Sequence, residues 1–411
     1  MSGVAQARVL RDGLVSAAEL RAVAVETIER LNPVLNAVVI PLFDRPGDGV
    51  PMLLKDAGPE LADTPHWVGV AALRDAQNTS LTTTELAHKF ERAGFSIVGK
   101  DARPQLSNGA TTEPARFAPT RNPWDVTRSV GGSSGGPAAE VASGMVAVAH
   151  GSDATGSLRC PAALCGVATR NPTAGRIQGV PPAGRPPNDA WRDFVLARHS
   201  EVLSAGFAAL TGASAAASAC VAGVHVAGAL LEALGHDVEI SWPDALDHLW
   251  SESAAPFVIA RDATRSPIIR WVSQRLGRRV QRGELDNDVF EAADRDAARD
   301  PSDVRAAQAA IEVAATPIAD WWDDHDLLVT PTTFQPAWPL GGNPGPKEMG
   351  TLLAPFSLTG QPALSLPLHQ TDDGLPVGVQ LVARHGADEI LLRLAHQLQS
   401  ATDWTTRRPH L

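Results

Sequence analysis

The chain has 411 residues, 44% of them hydrophobic and 20% charged, enough to bury one large core or two modest ones, which excludes a peptide or a disordered polymer. With 35 lysines and arginines against 46 acidic residues the net charge is -11, which repels phosphate backbones and anionic bilayers and argues against nucleic-acid or membrane partners. Three cysteines, Cys160, Cys165 and Cys220, with no CxxC pair, form neither a disulfide framework nor a zinc knuckle and point to a reducing, cytoplasmic setting, and no export leader or spanning segment is expected.

In chain order, Ser16 and Glu19 make a capping-box pattern, followed at helical spacing by Leu20, Val23, Ala24, Ile28 and Leu31 as far as Asn32-Pro33. GVPMLL before Lys55 reads as a strand. Thr82 and Glu85 repeat the capping pattern before a helix with Leu86 and Phe90 four apart; Gly94 stops it and FSIVG follows as a strand. MVAVAHG from Met145, DLLVTPT from Asp326 and the alternating LPVGVQLVAR from Leu375 are further strands. Residues 208–235 read as one or two alanine-rich helices. Residues 268–315 form a charged helical block expected to pack outside the sheet. Proline-rich stretches at 180–187 and 335–346 read as loops. Strands alternating with helices define an α/β protein with a sheet covered on both faces.

The densest chemical signal runs through residues 128–176, RSVGGSSGGPAAEVASGMVAVAHGSDATGSLRCPAALCGVATRNPTAGR. Glycines flank Ser133-Ser134, and a second glycine-serine turn carries Gly156-Ser157. Such turns can aim backbone N–H groups at one point, the geometry an oxyanion requires, although either turn alone is equally an ordinary loop. Lys55 ends a strongly apolar strand. Burial there favours a neutral amine able to accept a proton; the alternatives are a lysine reaching the surface or one paired with Asp56. A neutral lysine, a bridging serine and a nucleophilic serine together make a proton relay, because a hydroxyl is a weak nucleophile until a base takes its proton.

These residues resemble the amidase signature family. TEPARFAPTRNPWD before Arg128, APFSLTGQPALSLPL and DGLPVGVQLVAR near the end, LNPVLNAVV near the start and WTTRRP at the close resemble that family's other segments. The resemblance implies one domain over residues 1–411 with a mixed central sheet covered by helices on both faces. Within it, 55–180 would be the catalytic core, 181–325 a helical, divergent and shortened substrate side, and 326–411 the C-terminal strands and helix. It also implies an amidase acting on a small carboxamide or ester. Ser157 would be the nucleophile, Ser133 the bridging serine on a cis peptide bond, and Lys55 the base. Backbone N–H groups of Ala154, Thr155, Gly156 and Ser157 would form the oxyanion site. Asp153, Arg159 and Ser134 would support it, and neither metal nor organic cofactor is required.

Two departures from the family pattern bear on activity. Thr155 stands where the family usually has a glycine; if that position needs positive φ, a β-branched residue is strained, and loss of one oxyanion donor costs on the order of 10²–10³ in rate. Several tens of residues between 175 and 243 are absent relative to the family, which would open the substrate side, expose a sheet edge to a second subunit to give a homodimer, or destabilise the core. The rival functions are therefore a silent, ligand-binding homologue and an acyltransferase using the same acyl-enzyme. GFSIVGK resembles a phosphate loop but continues into Asp101, which would repel phosphate. Asp323, Asp324, His325 and Asp326 read as a solvated helix end rather than a metal site, and His150 as a packed residue.

Overall fold

Continuous apolar runs belong to strands covered on both faces, and the segment VPMLLK fits that rule, being buried at all six positions. The computed structural model describes residues 1–114, 116–177, 191–203, 222–239, 241, 243, 245–342, 352–371 and 373–409. Among these the strands are β1 (Val38–Pro41), β2 (Val50–Lys55), β3 (Phe95–Asp101), β4 (Arg121–Asn122), β5 (Asp125–Ser129), β6 (Val148–Asp153), β7 (Ala168–Asn171), β8 (Arg192–Ala197), β9 (Leu327–Pro331), β10 (Ala363–Gln370) and β11 (Pro376–Ala383). Nine of them form one sheet in the order β1-β3-β2-β6-β8-β7-β10-β11-β9, while β4 and β5 pair as a separate ribbon. The sheet is mixed: β3, β2 and β6 run parallel and the other neighbours antiparallel.

Adjacent residues on β6 reveal how both faces are covered, because successive side chains on a strand point to opposite sides. A side chain at Gly151 would come within 2.6 Å of Leu158 and 3.0 Å of Ser134, so this face meets the serine-bearing turns and the helices Gly135–Ser143 and Arg159–Cys165. His150 instead packs edge-on to Phe90 at 5.5 Å, from the helix Glu85–Arg92 on the opposite face.

The first long helix carries its capping box and runs Ala17–Leu35, past the expected stop at Asn32-Pro33. Pro33 lies in the last turn, and the helix ends at Asn36 in the left-handed conformation. Asn32 then turns the chain into β1, its Oδ1 accepting from Ala37 and Val38 N–H groups at 2.8 Å each. The next predicted helix is Glu85–Arg92, with Thr84 rather than Thr82 at its N-cap position and no side-chain capping bond, and Gly94 follows it at φ +85.

Three helices, Arg265–Leu276, Asn287–Ala297 and Pro301–Ala315, occupy the charged block. Ile268, Val272 and Val289 cluster with Val68, Leu73 and Leu106, so the first two of these helices cover the loop after β2 rather than the sheet. Helix Ala222–Ala233 falls in the alanine-rich stretch, and its Ala227 and Leu231 join the main core. The loop expectations at 180–187 and 343–346, and residues 208–221 of that stretch, lie outside the described residues. No helix among the described residues is long and apolar enough to cross a membrane.

Candidate active site

Lys55 is the last residue of β2, directly beside Asp101 of β3 in the register, and it is fully buried. Its Nζ lies 2.8 Å from Ser133 Oγ, 2.8 Å from Ser134 Oγ and 3.0 Å from Ser152 Oγ. Burial, reinforced by the charge of Arg103, holds its pKa well below the ordinary lysine value against the opposing pull of Asp101, Asp193 and Asp153. The amine therefore does not reach solvent, nor does it pair with Asp56. That carboxylate accepts from the N–H groups of Trp67 and Val68 at 3.1 and 2.7 Å and faces His66 Nδ1 at 3.1 Å.

Proton counting narrows the network further. A neutral amine has two N–H bonds to give and one lone pair to fill. Ser134 spends its only hydroxyl proton on the Ser152 carbonyl at 3.1 Å, so toward Nζ it can only accept. Ser133 and Ser152 remain as the hydroxyls able to donate to the lone pair.

Ser133 and Ser134 sit in the turn between β5 and the helix Gly135–Ser143, where the Gly132-Ser133 peptide bond is cis. A side chain at Gly132 would fall 2.6 Å from the Thr111 carbonyl, which explains the glycine by close backbone approach. Ser134 N–H donates to the Ser157 carbonyl at 3.1 Å, joining the two serine turns that the sequence placed far apart.

The second turn is built around Asp153, at the end of β6. Its carboxylate accepts from Gly156 N–H at 2.6 Å and Leu158 N–H at 3.1 Å and pairs with Arg159 Nε at 3.0 Å. Burial alone would raise its pKa, but the charge and hydrogen bonds of Arg159 with those backbone donors outweigh it and hold the group below its usual value. Arg159 in turn donates to Gln380 Oε1 at 2.6 Å and Ser357 Oγ at 2.7 Å. Both charged residues brace the turn from the interior.

This bracing revises the expected oxyanion donors. Gly156 N–H is committed to Asp153, whereas the N–H groups of Ala154, Thr155 and Ser157 make no hydrogen bond among the described residues. The glycine requirement also falls elsewhere than at the anomalous position: Gly156 has φ +117, while Thr155 is not among the residues of positive φ. The backbone strain that a threonine would bring to a glycine position does not arise.

Sequence reasoning missed Ser152, the third partner of the lysine, although it directly precedes Asp153. It also missed Gln380 and Ser357, which anchor Arg159 from distant segments. Asp101 and Glu140, both fully buried, were likewise unforeseen; burial raises the pKa of each well above the ordinary carboxyl value, and for Glu140 the charge of Asp101 adds to it. His150 proves a packed residue, its Nε2 3.0 Å from Asp193 Oδ1. His325 stacks on Trp321 at 3.8 Å and pairs with Glu239 at 2.6 Å, and no group able to hold a metal ion is found among the described residues.

With this geometry in hand, comparison with known proteins defines the class. The family profile described as Amidase matches residues 44–187 and 180–392, and the chain belongs to the amidase signature family, whose members hydrolyse amide bonds. It is 31% identical to the 6-aminohexanoate-cyclic-dimer hydrolase of Paenarthrobacter ureafaciens over 99% of this chain and 96% of the relative. The same identity holds for the enzyme of that name from Pseudomonas sp. (strain NK87), again over 99% and 96%. The solved structure of 6-aminohexanoate cyclic dimer hydrolase complexed with substrate superposes with a TM-score of 0.90 at 29% identity, covering 100% of this chain and 98% of that one. A further amidase structure gives a TM-score of 0.80 at 25% identity over 98% and 100%. The first alignment runs over 481 positions against 411 residues here, so that relative carries tens of residues with no counterpart in this chain.

Proposed function

We propose that this amidase cleaves a small carboxamide, or an ester, through an acyl-enzyme on Ser157 with Ser133 and Lys55 as its proton relay. The observation that carries the proposal is the buried amine of Lys55, depressed in pKa and 2.8 Å from Ser133 Oγ. In the acylation half, Lys55 takes the Ser133 proton as Ser133 takes that of Ser157, and Ser157 Oγ bonds to the carbonyl carbon. The developing oxyanion is met by the N–H groups of Ala154, Thr155 and Ser157, while Asp153 holds Gly156 in place. When the tetrahedral intermediate collapses, the C–N bond breaks and Ser133 passes a proton to the leaving amine, refilled from Lys55. Water then attacks the ester carbonyl by the reverse path and releases the acid.

The relatives named for hydrolysis of 6-aminohexanoate cyclic dimer support a compact amide, linear or cyclic, as the substrate class. Thr155, with ordinary backbone geometry, gives no ground for treating the turn as disabled. The test is intact mass after exposure to a serine-reactive fluorophosphonate, for the parent and for Ser157→Ala, Ser133→Ala and Lys55→Ala. One adduct is expected on the parent, none on Ser157→Ala, and labelling slowed by about 10²-fold or more in the other two. Undiminished labelling of Ser157→Ala would overturn the assignment.

A further inference from the structure

A second recessed site lies behind the loop that follows Lys55, and none of Lys55, Ser133 and Ser157 lines it. Its inner end is a notch of about 10 Å³ bordered by Trp67, Arg103 and Asp56, room for a single atom of water size. Val39, Trp67, Phe117 and Ala118 continue from the notch into an outer cavity of about 330 Å³ that has Arg74 at its margin.

The donors and acceptors around the notch do not balance. Arg103 is 1% exposed; its Nη1 donates to the Asp56 carbonyl at 2.8 Å and its Nε to the Pro104 carbonyl at 3.3 Å, yet Nη2 is buried with no partner among the described residues. The indole Nε1 of Trp67 is likewise buried and unpartnered among the described residues. The nearby carboxylate of Asp56 accepts from the Trp67 and Val68 N–H groups through Oδ2 and faces His66 through Oδ1, which makes no hydrogen bond among the described residues. Two residues with a spare N–H donor, one of them cationic, therefore border a space that admits one acceptor atom, and an unmet buried donor carries a desolvation cost that an acceptor removes. The walls beyond are mixed: Val38, Val39, Phe117 and Ala118 are apolar, while Asn36 and Arg74 bring polar groups to the margin, Arg74 lying over the Phe117 ring at 4.7 Å.

We propose that this notch and cavity bind a small monocarboxylate, one carboxylate oxygen seated between Arg103 Nη2 and Trp67 Nε1 and an aliphatic or aryl body filling the outer cavity. A carboxylate suits the cationic donor better than a neutral carbonyl does, because charge-assisted hydrogen bonds are about twice as strong. A seated carboxylate would also offset the Arg103 charge that, with burial, holds the Lys55 pKa down, so occupancy is coupled to the proposed relay. Carboxylic acid is what amide hydrolysis releases, and that coupling makes the site a point of product feedback.

The site is tested by calorimetric titration of the full chain with benzoate, beside benzyl alcohol as a neutral match, after Ser157 has been blocked with the fluorophosphonate. If Ser157 takes no label, the unreacted chain is titrated, so a failed relay assignment leaves this test intact. Saturable benzoate binding is expected, at least about tenfold tighter than benzyl alcohol, and weakened about tenfold or more in both Arg103→Met and Trp67→Phe. Trp67→Phe keeps an aromatic ring and both backbone bonds, and so covers the case in which the arginine variant fails to fold. No saturable heat up to about 10 mM benzoate, or equal affinity in the Trp67→Phe variant, would overturn the proposal and leave the notch to water.

Discussion

Replacing Gly156 by alanine is the sharpest perturbation of the turn that carries Ser157. The new Cβ would lie 2.3 Å from Leu353 Cδ1 and 2.7 Å from Leu353 Cβ, and Leu353 is fully buried. Rotating the leucine clears its tip but not its Cβ, so one backbone must retreat by about 1 Å to reach van der Waals separation. Gly156 also has φ +117, a conformation that costs an L-residue about 1–3 kcal/mol. Adding about 1–3 kcal/mol for overpacking gives a destabilisation of about 2–6 kcal/mol. Because Ser157 is the next residue, a shift of this size also misplaces the proposed nucleophile, an error worth about 10²-fold in rate. The assay is the second-order rate of fluorophosphonate labelling, measured well below the melting transition, with a denaturant titration on the same sample. Thr155→Gly serves as the control: its site has no positive φ, so labelling should stay within about threefold and stability fall by only about 0.4–1 kcal/mol. Gly156→Ala labelling at the parent rate, or Thr155→Gly labelling markedly faster than the parent, would refute the reasoning.

Asp153→Asn removes the charge facing a fully buried Arg159 and should cost about 3–5 kcal/mol; a loss under about 1 kcal/mol in denaturant melts would contradict the bracing role. Burial raises the pKa values of Asp101 and Glu140 well above the ordinary carboxyl value, whereas the unfolded chain ionises them at the ordinary value. Their contribution to stability is thus complete below about pH 4 and is lost as pH rises toward the folded values. Asp101→Asn, which cannot ionise, should therefore gain stability over the parent by an amount that grows between about pH 5 and pH 8, and a gain independent of pH would count against this. Burial pushes the Cys160 thiol up to about 12 and also raises Cys165; neither should react with Ellman's reagent until the chain is denatured, and peptide mapping of the labelled native protein checks this.

How much of this was legible in sequence depends on which physical rule each segment obeys. β2 could be read because VPMLL before Lys55 is apolar throughout, and the serine turns because glycine marks close approach. β7 and β8 escaped because their strand pattern is broken by Arg170, Asn171, Arg192 and Asp193, all buried. Charged residues read as exposed unless their partners are known, and these partners lie far along the chain: Arg170 faces Asp388 at 3.5 Å and Arg192 donates to the Ser357 carbonyl at 3.1 Å. The cost of Thr155 was undecidable for a different reason, since a residue name carries no φ. The same holds for the donor inventory of the oxyanion turn, where only coordinates reveal that Asp153 claims Gly156.

The links from Arg159 to Ser357 and Gln380, with Leu353 against Gly156, also set an order of events during synthesis. Lys55, Ser133 and Ser157 leave the ribosome well before Leu353, Ser357 and Gln380, which hold the turn around Ser157. A nascent chain halted near residue 340 carries the proposed relay and lacks the clamp on its turn. The proposed hydrolytic competence is thereby expected to wait until Gln380 has been made.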